Sequence, residues 1–127
     1  MTTTRTLLVA VSDVFFYTKI RDAFRPQGYT LERLRNTDDW LSKIGDPPPQ
    51  AIIANMNDDR LNVPEWLRAV KANNQTQDIP ILAFANHEEI GTWKLAKDLG
   101  INKIVSRNEF SARTLGLLEE LIASPTS

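Results

Sequence analysis

The residues of this chain that could do chemistry lie in short polar stretches at the ends of apolar runs. Ser12 and Asp13 follow the run from Thr6 to Val11, and Asn55 to Asp59 follow Ala51-Ile52-Ile53-Ala54. Asn86 and His87 follow the run from Ile79 to Ala85, and Ser106 to Asn108 end a further one. Carboxylates at Asp13, Asp58 and Asp59 suit a hard cation such as magnesium or calcium, or a nucleophilic role. Cysteine is absent, which excludes disulfides, thiolate nucleophiles and cysteine-ligated zinc or iron–sulfur clusters. His87 is the sole imidazole and is read as a partly exposed polar residue near a helix start. Ser12 has no His and Asp partners placed by a motif, so it is read as a helix-capping hydroxyl. After the first strand the sequence Val11-Ser12-Asp13-Val14-Phe15-Phe16 contains neither a dinucleotide turn nor a phosphate-binding loop with its lysine. No nucleophile–base pair or full metal set can be assembled, so no enzyme is expected. Asp13, Asn55, Asn57, Asn86 and Arg107 remain as polar groups able to hold a small polar ligand.

Something must bring these stretches together. The chain has 127 residues, enough for one domain over 1–127 with a core of about 5–123 and a tail, 124–127, expected to fray. Hydrophobic residues make up 42% and charged residues 24%, too apolar for a disordered chain. Fifteen basic side chains against sixteen acidic leave a net charge of -1, so neither nucleic acid nor anionic lipid is an expected partner. The apolar run from Leu7 to Val11 is far too short to span a bilayer, and no secretory cleavage pattern precedes it. A soluble, cytoplasmic protein is expected.

Strand-like and helix-like segments alternate along the chain. Thr6 to Val11 is β-rich, and Val14 to Arg25 follows a helical pattern that groups Phe16, Ile20, Ala23 and Phe24. Gly28 closes that helix, and Tyr29, Leu31 and Leu34 alternate with polar residues as in an edge strand. Asn36 or Thr37 caps a short helix with Asp38 and Asp39 in its first turn; Trp40, Leu41 and Ile44 face inward and Gly45 stops it. Ala51 to Ala54 is uninterruptedly apolar, the mark of a central strand covered on both faces. Pro64 and Glu65 open a third helix, with Leu67 and Val70 inside, that ends at Asn73-Asn74. Ile79 to Ala85 is a fourth strand with Pro80 at its start. Asn86 caps a fourth helix with inward Thr92, Leu95, Ala96 and Leu99, closed by Gly100. Ile101 to Ser106 is a fifth strand, and a terminal helix carries Leu115, Leu118, Leu121 and Ile122 inward. Five strands alternating with five helices predict a doubly wound α/β parallel sheet, whose ligands sit beyond the carboxyl ends of the strands.

In segment order and local landmarks the chain resembles the receiver domain of bacterial response regulators, the CheY-like family, from Thr6 to Ile122. Leu-Leu-Val-Ala-Val-Ser-Asp13 is similar to the family's first strand with its acidic pair, and Ala51-Ile-Ile-Ala-Asn55 to the strand that ends in the phosphoacceptor. Ile79 to Ala85 is similar to its fourth strand, and Leu99-Gly100 to Arg107 to the approach to its fifth. The resemblance implies a flavodoxin-like sheet in the order 2-1-3-4-5 and a place in two-component signalling or a phosphorelay.

The same resemblance implies a degenerate phosphorylation pocket at Ser12, Asp13, Asn55, Ala85 and Arg107. The phosphoacceptor place falls on Asn55, whose neutral amide cannot attack phosphorus as a carboxylate does. Ser12 and Asp13 stand at the acidic pair in one register, Val11 and Ser12 in a register shifted by one; either way magnesium loses ligands, and its binding is expected to be weak or absent. The hydroxyl place falls on Ala85. Arg107, with Ser106 as the fallback, stands at the lysine, keeping the charge but not the ammonium geometry. Asn108 replaces the following proline, and a cis bond there would cost ~2.5 to 4 kcal/mol, so a trans bond is expected. Ile104 takes the aromatic switch place. Asp58 and Asp59 are the candidates for a relocated acceptor or metal site, and are otherwise expected to be a solvated loop pair.

The implied function is that of a pseudo-receiver independent of phosphorylation, acting through contacts with an unidentified signalling protein. The family's usual contact surface, the fourth helix, fifth strand and fifth helix, gathers here Ile90, Trp93, Lys94, Lys97, Lys103, Ile104 and Leu117, and a homodimer through it is expected as one possibility. Trp93 stands either as an exposed hot spot among cations or folded over the edge of the core. A small-molecule sensor using the strand-end crevice is the alternative.

Overall fold

The computed structural model describes residues 5–38, 40–45, 48–86 and 88–123. His87, Asp39 and the tail 124–127 lie outside the described residues. Five strands, β1 (Thr6–Ala10), β2 (Thr30–Arg33), β3 (Ala51–Asn55), β4 (Ile81–Ala85) and β5 (Lys103–Ser106), form one sheet in the order β2-β1-β3-β4-β5. All four pairings are parallel. Among the described residues, five α-helices accompany them: α1 (Val14–Phe24), α2 (Val63–Ala72), α3 (Ile90–Asp98), α4 (Arg107–Ala112) and α5 (Thr114–Ala123). No helix among the described residues is long and apolar enough to cross a membrane.

The unbroken apolar runs make β3 and β4 central because successive side chains of a strand point to opposite faces, and here both faces are covered. Leu8, Ala10, Ile52, Ala54, Ile81 and Ala83 join Leu67 and Val70 of α2 and Ala96 of α3 in one core. On the opposite face, Leu7, Val9, Ile53, Leu82 and Phe84 join Phe16, Ile20 and Phe24 of α1 and Leu118 and Leu121 of α5. Phe84 is the hub of that second core, with its ring centroid 5.0 Å from that of Phe16 and stacked 4.5 Å from that of Phe110 in α4.

Three elements differ from the sequence expectation. The short helix expected around Trp40 to Gly45 is a 3-10 turn, Trp40–Lys43. So short a segment gains too few hydrogen bonds to offset helix nucleation. Ile44 is buried as expected and Trp40 sets its ring edge-on to Trp66 at 6.0 Å, but Leu41 turns outward and is 45% exposed. The terminal helix is two helices. Ser106 caps α4 directly, its Oγ accepting from Glu109 N at 3.0 Å, and Arg113 breaks the helical path before α5 starts at Thr114. α3 begins at Ile90, later than the expected cap at Asn86, with Glu89 at its N-cap and no side-chain bond there. Its C-terminal closure is as expected: Gly100 takes φ 76° and donates to Lys97 O, while Ile101 N donates to Ala96 O.

Candidate functional site

Because every strand is parallel, β1, β3, β4 and β5 deliver their polar ends to one edge of the sheet. At the end of β1, Asp13 caps α1: its Oδ1 accepts from Phe15 N at 2.9 Å and Phe16 N at 3.1 Å. Its Oδ2 lies 3.8 Å from the Arg107 guanidinium, which also stands 4.5 Å above the Phe16 ring. Both side chains are over two-fifths exposed, so this pair is worth at most about 1 kcal/mol in stability. Its consequence is positional. The Asp13 carboxylate is shared between a helix N-terminus and a cation of the same chain.

At the end of β3, Asn55 is 8% exposed and its Oδ1 accepts from Asn57 N at 3.0 Å. Asn57 in turn accepts Asn86 N on its Oδ1 at 2.7 Å, joining the β3 and β4 ends. The expectation that Asp58 is a solvated loop carboxylate is overturned, whereas Asp59 is exposed as expected. Asp58 is only 6% exposed and accepts three hydrogen bonds, from Ser12 N at 2.6 Å, Ser12 Oγ at 2.9 Å and Leu61 N at 3.1 Å. Burial requires such partners, because a desolvated carboxylate without them costs several kcal/mol. Ser12 is therefore not a free helix-capping hydroxyl; Asp13 performs that task, and Ser12 is clamped between Asp58 and Arg33, whose Nη2 donates to Ser12 O at 2.8 Å. The sequence signal for this clamp is weak: a short acidic side chain three residues before the buried Leu61, a spacing at which a carboxylate satisfies a backbone N–H.

At the end of β4, Ala85 is 1% exposed and offers no hydroxyl. Arg107 is the first residue of α4, while Ser106, its alternative at the lysine place, is occupied in capping that helix. A shallow pocket of about 200 Å³ opens there, lined by Asn86, Glu88, Arg107 and Asn108. The geometry thus brings Ser12, Asp13, Asn55, Asn57, Asp58, Asn86 and Arg107 to one edge. Of its carboxylates, Asp13 faces Arg107 and Asp58 accepts three hydrogen bonds from N–H and O–H donors, while Asn55 is neutral. Among the described residues no three His, Cys, Asp or Glu side chains gather as a metal site.

Five parallel strands in the order 2-1-3-4-5, with helices on both faces, are superposable on known signalling structures. The fold is that of a receiver domain. The phosphorylated cyanobacterial phytochrome response regulator RcpA matches with a TM-score of 0.82 over 98% of each chain at 13% identity. The chemotaxis protein CheY4 of Vibrio cholerae matches at 0.79, covering 94% of this chain and 99% of its own, at 17% identity. The receiver domain of a signal transduction histidine kinase from Syntrophus aciditrophicus matches at 0.80, over 96% and 94% respectively, at 13% identity. No family model and no curated protein matches the sequence. At such identities the likeness to receiver domains establishes the fold, and the chemistry rests on the residues at the strand ends.

The expected contact face of this receiver fold is smaller than its sequence outline. Leu117 does not belong to it: the residue is fully buried, on the side of α5 that packs Leu118 and Leu121 into the same core. Ile104 packs partly buried against the α2–α3 core. Trp93 is likewise folded over the core edge, its Nε1 donating to Asn86 O at 3.0 Å. Lys103 is paired with Glu120 at 3.3 Å. The hydrogen bond from Lys103, helped by Arg113, holds the Glu120 carboxyl below its usual pKa. What this pair contributes is therefore present above the ordinary glutamate range and is lost only as pH falls through the lowered value. Ile90, 78% exposed, remains outward with Lys94 and Lys97. Changing Trp93 to Ala is expected to lower stability by about 1 to 3 kcal/mol through lost burial and the lost indole hydrogen bond. Light scattering of the same variant should give an unchanged mass; a change in mass with unchanged stability would return Trp93 to the outer surface.

Proposed function

We propose that this chain is a pseudo-receiver: a non-enzymatic signalling module that keeps the receiver fold, takes no phosphoryl group and acts through contacts with another protein. The observation that carries this is Asn55, a neutral carboxamide at the carboxyl end of the central strand, held by its own turn. Phosphoryl transfer to protein at this place needs an anionic oxygen, and an amide supplies none at neutral pH. The engagement of Asp13 by Arg107 and of Asp58 by Ser12 and Leu61 supports the same reading, since neither carboxylate stands free to bind a metal or attack. The outer side of α3, with Ile90, Lys94 and Lys97, is the surface that favours a protein partner or a second copy. Incubation with acetyl phosphate, or with beryllofluoride and magnesium, should leave the intact mass and the backbone amide spectrum unchanged. A phosphoryl adduct mapped to Asp58 or Asp59 would identify a relocated acceptor and defeat the proposal, as would a domain-wide spectral shift with beryllofluoride.

A further inference from the structure

Away from the strand-end edge, α1 and the edge strand β2 border a second shallow concavity of about 270 Å³, lined by Tyr17, Arg21, Arg25, Tyr29, Thr30 and Leu31. The geometry points to a binding site for a phosphate monoester of a small organic molecule in this cleft. Arg21 and Arg25 are four residues apart at the C-terminal end of α1, so their guanidinium groups share one face. Among the described residues, Arg21 has a single exposed counter-ion and Arg25 has none. Arg21 meets only its neighbour Asp22, at 3.6 Å through Nε, and that buried Nε has no hydrogen-bond acceptor. Arg25 has no ion pair or side-chain hydrogen bond among the described residues. Among the described residues, no acidic side chain lines the cleft.

Both rims are held in position before any ligand arrives. The Arg5 guanidinium lies 4.3 Å from the centre of the Tyr29 ring and is anchored by a 2.8 Å bond from Nη2 to Gln27 O. Arg33 lies 5.3 Å from the centre of the Tyr17 ring and is anchored to Ser12 O. Such prior ordering removes part of the entropy cost of binding. Two guanidinium forks provide more donors than the two oxygens of one carboxylate use. A phosphate monoester, with about −1.5 to −2 charges and three acceptor oxygens, matches them in charge and number. Leu31 and the tyrosine rings then line the space left for the organic part. Basic residues at a helix C-terminus also complement its dipole, but that partial charge of about −0.5 is outweighed by two full positive charges and does not call for a walled cleft.

The test is a titration of the full chain with inorganic phosphate, adenosine monophosphate and succinate, followed by amide chemical shifts and calorimetry. Saturable shifts confined to Tyr17, Arg21, Thr30, Leu31 and their neighbours are expected, with the monoester tighter than inorganic phosphate and succinate weakest. Arg25 is exposed, so Arg25→Gln should keep the thermal midpoint while weakening monoester binding about tenfold or more. Shifts that fail to saturate, that map to Asn86, Arg107 and Asn108, or that are equal for the three probes overturn the assignment. So does an Arg25→Gln protein that binds as tightly as the parent.

Discussion

Replacing Asp58 with alanine is expected to lower the unfolding free energy by about 2 to 4 kcal/mol, the range for stripping buried donors of a charged acceptor. The carboxylate ties the end of β1 to the turn after β3 by accepting Ser12 N, Ser12 Oγ and Leu61 N, and it is almost wholly removed from solvent. Without it, two backbone N–H groups lose their partner at the place where β1 and β3 leave the sheet. Asp58→Asn keeps an acceptor oxygen and the shape, and should lose roughly half as much. Urea denaturation checks both: the midpoint should fall while the slope with denaturant stays constant. A loss within about 0.5 kcal/mol, as for an exposed side chain, would mean that Asp58 is solvated after all.

The second large effect is expected at Phe110. Its ring stacks on Phe84 at 4.5 Å and approaches Phe16 at 5.8 Å, in a fully covered site. Phe110→Ala should cost about 3 to 5 kcal/mol, the transfer energy of the ring plus that of the cavity left behind. The damage reaches the strand ends as well, because Phe110 is the buried anchor of the short α4, whose first residue is Arg107. Phe15 provides the internal control: it is 85% exposed, and Phe15→Ala should leave the midpoint within about 0.5 kcal/mol of the parent. Equal effects at the two positions would refute the placement of Phe110.

The sheet was legible in the residues because apolar runs such as Ala51 to Ala54, bounded by polar turns, permit few other arrangements. Helix ends with a strong local signal, such as Gly100, were legible for the same reason. Asp58 was not, since loop carboxylates are ordinarily solvated and its burial depends on Ser12, which is remote in sequence. Leu117 was placed on the contact face by the family resemblance, whereas it is buried in the same core as Leu118 and Leu121. Trp40 to Gly45 carried the residues of a helix, yet a segment of that length is decided by what it packs on, here Trp66. For the strand-end residues, topology gives their common edge, while the division of labour between Ser12 and Asp13 came only from hydrogen bonding.

The pairing of Arg107 with Asp13 has a consequence for the surroundings of the molecule. A dissolved ion leaves its ligand when diluted, but a guanidinium fixed to the backbone keeps the same local concentration however the medium changes. The pair at this edge of the sheet needs no dissolved ion, so chelators should leave it as it is, whereas added salt, magnesium included, should weaken it, because both side chains are over two-fifths exposed.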